Sequence, residues 1–278
     1  MMRGMFTAIS GLKQHQTMLD VTANDIANVN TIGYKSSRVT FEDTLTQMQR
    51  GASGATTNNG GTNAAQVGLG VGLGSIDNLM TGGAVQTTGN PLDVAIQNDG
   101  FFEIAQGDPA GNLSPSEYTR AGNFSINSAG YLVTQGGGYV CGVTNGTPVG
   151  TQQVAIKVPT NATGVAIDQA GGVSYVDPAT NTRVTPYKIA LATFPNASGL
   201  ERAGDNMWTA SANSGPATTN VPGVGGAGTL SPGSVEMSNV DLAQTFTNMI
   251  TAERGFQANS RVITTADDML QDLVNMKH

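Results

Sequence analysis

Cysteine and histidine are almost missing from this chain: its 278 residues include one cysteine, Cys141, and two histidines, His15 and His278. A single thiol cannot form an intrachain disulfide. So few ligands, so far apart in sequence, cannot assemble a His/Cys zinc cluster, and no metal or other cofactor is expected. Charged residues make up only 12% of the chain, about half the usual globular share. The formal net charge is −7. A nucleic-acid footprint needs clustered Lys and Arg, so no nucleic-acid partner is expected. Long apolar runs are also missing. No stretch approaches the roughly 18 residues of a membrane span. Lys13, His15 and Asp20 interrupt the first segment before a secretory apolar region of ordinary length can form. If the protein leaves the cell, the expectation is a route without a cleaved signal peptide.

Recognisable catalytic patterns are absent too. The run Gly68–Gly74 (GLGVGLG) lacks the following Lys-Ser/Thr and the strand–glycine–helix order of a phosphate loop. An extended glycine-faced strand explains it better. The carboxylate pairs Glu42/Asp43 and Asp267/Asp268 are adjacent in sequence. Adjacent helical positions point about 100° apart, so they suit solvated faces better than acid–base couples. Asn98-Asp99-Gly100 reads as a turn, because no graded calcium-ligand series follows it. Cys141 has no His or basic neighbour in GGGYVCGVTNG to activate it, and there is no GxSxG elbow. An enzyme is not expected; catalytic, cofactor and metal residues are none.

What the chain does have is periodicity at its ends and glycine in its middle. Met2, Met5, Ile9, Leu12, Leu19, Ala23 and Ile26 follow steps of three and four, with Gln16 in the polar slot. That predicts a helix with a heptad seam, ending near Gly33, which can take a left-handed cap. Near the other end, Ser238, Asn239 and Asp241 are N-cap candidates. Leu242, Met249, Ala252, Phe256, Ile263, Ala266, Leu270 and Leu273 then lie on one seam, with Thr245 and Asn259 as its polar positions. Phe246, Ile250 and Met269 widen the apolar face. No proline interrupts this helix of about ten turns. Neither stripe can be hidden alone in water, so the two helices are expected to pack together, antiparallel, with apolar surface left over for a neighbouring subunit.

Between the helices the pattern is that of strands. Val67, Leu69, Val71 and Leu73 alternate with Gly68, Gly70, Gly72 and Gly74. Leu92, Val94 and Ile96 share a face, and Asn98-Asp99-Gly100 predicts a hairpin into Phe101–Ile104. Phe124–Ile126 and Tyr131–Val133 flank a second turn at Asn127–Gly130. Val154–Val158, Val173–Val176 and Ile189–Phe194 are further strands. Gly51–Gln66 and Ala210–Gly228 read as loops. The fold class is therefore α+β, with paired terminal helices and a β-rich domain from the middle of the chain. The expected divisions are a helical domain of residues 1–35 plus 238–278, an extended Gly-rich connecting segment 36–74, and a β-rich domain 75–237.

Several strings together resemble the flagellar rod and hook proteins. Ser10–Lys35 contains Asn24-x-x-Ala27-Asn28-x-x-Thr31-x-Gly33-x-Lys35, similar to the N-terminal signature of that family. Gly89–Ile104, Tyr118–Thr134 and Gly233–Lys277 are similar to its central and C-terminal segments, in the same order. The resemblance implies a coiled-coil inner domain lining a hollow tube, a β-rich outer domain, and helical polymerisation with itself. The implied partners are other axial proteins (distal rod, hook–filament junction, hook cap) and the type III export apparatus. The helix seams, Met5, Ile9, Leu12, Leu19, Ile26, Leu242, Met249, Phe256, Ile263, Leu270 and Leu273, are the expected assembly interface. Within the family, Glu236–Leu242 and Val274–Lys277 are similar to hook subunits, above all the short ones of Gram-positive-type flagella. The length and the Gly51–Gly74 insert are similar to the distal rod. The expectation is an extracellular hook subunit, with the basal-body distal rod as alternative. A reading of another class, a secreted β-rich surface-binding protein, accounts for the composition but not for two heptad helices.

Overall fold

In a computed structural model, residues 2–55, 60–107, 109, 113, 115–145, 153–178 and 180–276 are described. Lys277 and His278 lie outside them. The chain is α+β. Helix α1 spans Met2–Ala27 and helix α2 spans Leu242–Asn275, with strands between them. By contacts the chain divides into two compact units. The first joins α1, Ser37–Asp77 and α2; the second joins Asn28–Ser36 and Asn78–Val240.

In the first unit α1 and α2 run antiparallel. A Cβ on Gly11 would stand 2.8 Å from the Asn259 amide nitrogen, and one on Gly255 would stand 2.5 Å from the His15 ring. Residues 11 and 15 thus meet 259 and 255. Asp241 caps α2, its carboxylate accepting from the amides of Ala243 and Gln244; an anion at this end also suits the helix dipole. α1 ends earlier than periodicity predicts. It stops at Ala27, and Gly33, with its positive φ of 69°, belongs to the turns that follow.

The segment expected to be an extended connector is a paired ribbon. Ser37–Asp43 pairs with Val71–Asn78, and Thr46–Arg50 with Ala65–Gly68, all antiparallel. Backbone bonds from Thr44 to Gly70 and from Leu69 to Leu45 carry the pairing across the gap. The single strand expected over Val67–Leu73 is therefore broken at Leu69–Gly70. Gly70 sits at φ 131°, and a Cβ there would lie 2.3 Å from the Ser10 hydroxyl. Close approach to α1, not a glycine-covered face, is what requires glycine there. The loop expected over Gly51–Gln66 is shorter than predicted, because Ser53 pairs with Thr62 and Ala65–Gly68 is a strand. Residues 56–59 lie outside the described ones.

The second unit is built on a 13-stranded sheet. Its central strand, Phe101–Ala105, is buried along its whole length. It pairs with Glu117–Thr119, Tyr139–Thr144 and Leu191–Thr193. Phe102 and Ile104 enter one apolar core with Leu132, Val140, Ile156 and Leu191. Phe101 enters another with Tyr118, Leu200 and Trp208. The hairpin over Phe124–Val133 forms as predicted, with Ile126 opposite Leu132. The one predicted at Asn98-Asp99-Gly100 does not. Asn98 and Gly100 have positive φ, 71° and 135°, but Val94–Gln97 pairs with Thr229–Pro232 and not with Phe101–Ala105. Turn chemistry is present, yet the strand takes a partner from far along the chain. Ala210–Gly228 is not all loop, since Thr218–Asn220 pairs with Leu191–Thr193.

Candidate functional site

The motif segment Asn28–Ser36 enters the β-rich unit through a turn. Thr31 returns its backbone amide and its hydroxyl to Asn28, at 3.1 Å each. Gly33 then donates to the Glu236 carbonyl at 2.8 Å. A side chain there would meet the Ala121 amide nitrogen at 2.6 Å, so both φ and space demand glycine. Two residues on, Lys35 is fully buried.

Lys35 Nζ donates to Glu236 Oε1 at 2.5 Å and to the Thr81 carbonyl at 2.8 Å. Glu236, 1% exposed, also accepts from the Gly83 amide at 2.8 Å and from Arg120 Nη1 at 3.2 Å. Arg120 donates through Nη2 to the Asn98 carbonyl and lies over the Phe101 ring. Two cations thus share one carboxylate. Burial, and then the Arg120 charge, push the Lys35 pKa down; Glu236 opposes them. Around this centre, Arg202 lies over both the Tyr34 and Trp208 rings and donates to the Lys35 carbonyl. Asn239 accepts from the Ser36 amide and donates to the Leu79 carbonyl. Sequence reading picks out Gly33 and Lys35 but misses Arg120, Arg202, Glu236 and Asn239 as their partners. The available signal is a lone acid in the apolar stretch Val235–Met237.

Of the other motif residues, Asn28 and Thr31 are half-buried, whereas Asn24 and Ala27 are exposed on the last turns of α1. The helix seams need one correction. Met5, Leu12, Leu19 and Ile26 are half-buried, but Ile9 is 49% exposed, and Ala23 is exposed with it. The packed positions one residue earlier are Ala8 and Thr22, joined by Gly11 and Asp25. Gly11 meets α2 at Asn259, and Asp25 accepts from the Ser37 amide, so the buried positions of α1 are small or polar ones and not its most apolar ones. On α2, Ala252 and Ala266 are buried, with Met249, Ile263 and Leu270 half-buried beside them. Leu242, Phe256 and Leu273 are exposed, as are Phe246, Ile250 and Met269. Large apolar side chains thus flank the pairing and face outward within this unit.

Among the described residues, no group of three or more His, Cys, Asp or Glu is gathered that could hold a metal ion. Burial pushes the Cys141 thiol up to about 12, and the nearby Glu103 adds to it. Such a thiol is a poor nucleophile at neutral pH. Glu103 is itself fully buried, accepting one bond from the Thr219 hydroxyl at 2.7 Å. Burial raises its pKa to about 7.

Comparison with known proteins accounts for these features. Residues 5–35 match the family described as "Flagella basal body rod protein". Residues 95–175 match "Flagellar hook protein FlgE/F/G D1 domain", and residues 231–276 match "Flagellar basal body rod FlgEFG protein C-terminal". The chain is 47% identical to the flagellar basal-body rod protein FlgG of Bacillus subtilis (strain 168), covering all of both chains. It is 39% identical to FlgG of Caulobacter vibrioides over 97% of each. The hook protein FlgE of Borreliella burgdorferi is 28% identical, over an alignment of 448 positions covering both chains in full. These relatives fit the distal-rod alternative better than the expected hook subunit. Lys35 lies in the first matched segment, Arg120 in the second and Glu236 in the third, so the buried cluster joins all three. The chain belongs to the flagellar rod and hook protein family, structural components of the bacterial flagellum.

Proposed function

We propose that this chain is the distal-rod subunit of the flagellar basal body, polymerising helically with itself into a hollow drive shaft. The observation that carries this reading is collinearity. Chain and rod relative align over 278 residues with both covered in full, whereas the hook relative needs 448 positions. The paired ribbon supports it as well. A loose Gly-rich connector would let neighbouring subunits slide, as a bending joint requires. The hydrogen-bonded pairing of Ser37–Arg50 with Ala65–Asn78 offers a stiffer element, better suited to transmitting torque through a straight tube. The outward apolar side chains of α1 and α2 supply surface for neighbouring copies.

In this reading the termini form the inner domain, the β-rich unit faces outward, and the subunit passes unfolded through the type III export apparatus. Its axial neighbours are other rod subunits and the hook. Antibody against the β-rich unit, applied to isolated hook–basal bodies, should label the straight rod, and deleting the gene should leave basal bodies without hook or filament. Label running along the curved extracellular segment would return the assignment to the hook.

A further inference from the structure

We propose that Lys35, Arg120 and Glu236 form a closure lock that makes the first and last stretches of the β-rich unit dock together, neither being stable in place without the other. Four stretches meet at the lock: Ile32–Ser36, Leu79–Gly83, Thr119–Ala121 and Ser234–Asn239. Lys35 and Glu236 each take their partners from other stretches. Lys35 relies on Thr81 and Glu236; Glu236 relies on Lys35, Gly83 and Arg120. A buried charge stripped of its partner is costly. A state with Ile32–Ser36 docked and Ser234–Asn239 free leaves Lys35 and Arg120 buried without their carboxylate, and the reverse state leaves Glu236 without its nearer cation, so both are poorly populated and the docking is cooperative.

The rim repeats this arrangement without charge. Leu79 donates its amide to the Ser36 carbonyl, while Asn239 holds the Ser36 amide and the Leu79 carbonyl. Gly33 is bonded to the Glu236 carbonyl and Met237 to that of Ala84. The main sheet does not depend on these bonds. All its strands fall within residues 101–220, whereas Ser234–Glu236 pairs only with Val85–Thr87. The sheet can persist while the lock opens, as a separate cooperative element would. The lock thus reports that residue 236 has reached residue 35, 201 positions away. It lies beside the points where the chain leaves the β-rich unit, after Ser36 and after Val240.

Hydrogen exchange on the full chain tests this. Lys35→Met should raise exchange across 31–36, 79–83 and 234–239 together, by on the order of tenfold or more, leaving 101–105 protected. Asn239→Ala, which removes uncharged bonds to Ser36, Leu79 and Thr81 and leaves every buried charge in place, should loosen the same three stretches by a smaller factor, and it decides the matter if Lys35→Met does not fold. Loosening confined to the stretch around the mutated residue would show independent docking and overturn the lock. So would exchange rising equally in 101–105, which would make the cluster part of one global unit.

Discussion

Lys35 Nζ sits 2.5 Å from Glu236 Oε1, with both side chains sealed from solvent. Arg120 shares that carboxylate at 3.2 Å. The cluster holds two cations and one anion, so its members are not equivalent. Glu236→Gln strands two buried cations, whereas Lys35→Met strands none, because Glu236 keeps Arg120. Removing one partner of a buried pair costs about 3–5 kcal/mol. Urea unfolding should place Glu236→Gln at or beyond the upper end of that range and Lys35→Met toward the lower end. Equal losses would mean that the Glu236–Arg120 contact contributes nothing.

Glu103 gives the β-rich unit a pH dependence of definite sign. Burial raises its pKa from 4.5 to about 7. Between those values the folded chain keeps a proton that the unfolded chain has released. Stability should therefore fall as pH rises from about 4.5 to about 7 and then level off, by about 3 kcal/mol in all. Glu103→Gln should flatten that slope and be more stable than the parent at pH 8, which melts in matched buffers can read. A parent and variant with parallel profiles would exclude Glu103 as the source.

Gly33 combines a left-handed φ of 69° with a backbone neighbour that a side chain would meet at 2.6 Å. Gly33→Ala should cost at least about 1–3 kcal/mol. Gly89 also has positive φ, 75°, but nothing within 4 Å of a built Cβ. Gly89→Ala is the control for conformational strain alone and should cost less, as chemical denaturation would show.

Ile250 is 56% exposed on α2, and Ala252, two residues on, is fully buried. Ile250→Asp should leave the helical content of the dilute protein unchanged while abolishing tube formation. Ala252→Asp should lower helicity itself, because a carboxylate would be forced into the pairing. Circular dichroism and electron microscopy separate the two effects. Normal tubes from Ile250→Asp would remove the outward face of α2 from the assembly surface.

A hairpin whose register is local is legible in the sequence alone. Asn127 and Gly130 close the turn between Phe124–Ile126 and Tyr131–Val133, and the pairing follows within a few residues. Asn98-Asp99-Gly100 offers equally good turn chemistry, yet Val94–Gln97 pairs with Thr229–Pro232. That choice depends on a strand far along the chain. The helices divide in the same way. Heptad spacing reveals both of them, but α1 packs through Ala8, Gly11 and Thr22 instead of Ile9, because close contact favours small side chains over apolar ones.

The sequence by itself determined the α+β class, the two terminal helices and, through strings spread over both ends and the middle, the flagellar rod and hook family. These follow from local periodicity, local hydrogen bonding and motif order, all of which can be read along one dimension. Only the tertiary structure decided that Lys35, Arg120 and Glu236 neutralise one another, that the strands of Ser37–Arg50 pair with those of Ala65–Asn78, and which face of α1 is hidden. A buried charge acquires its partner from segments brought together by packing, and no spacing along the chain encodes which segments those are.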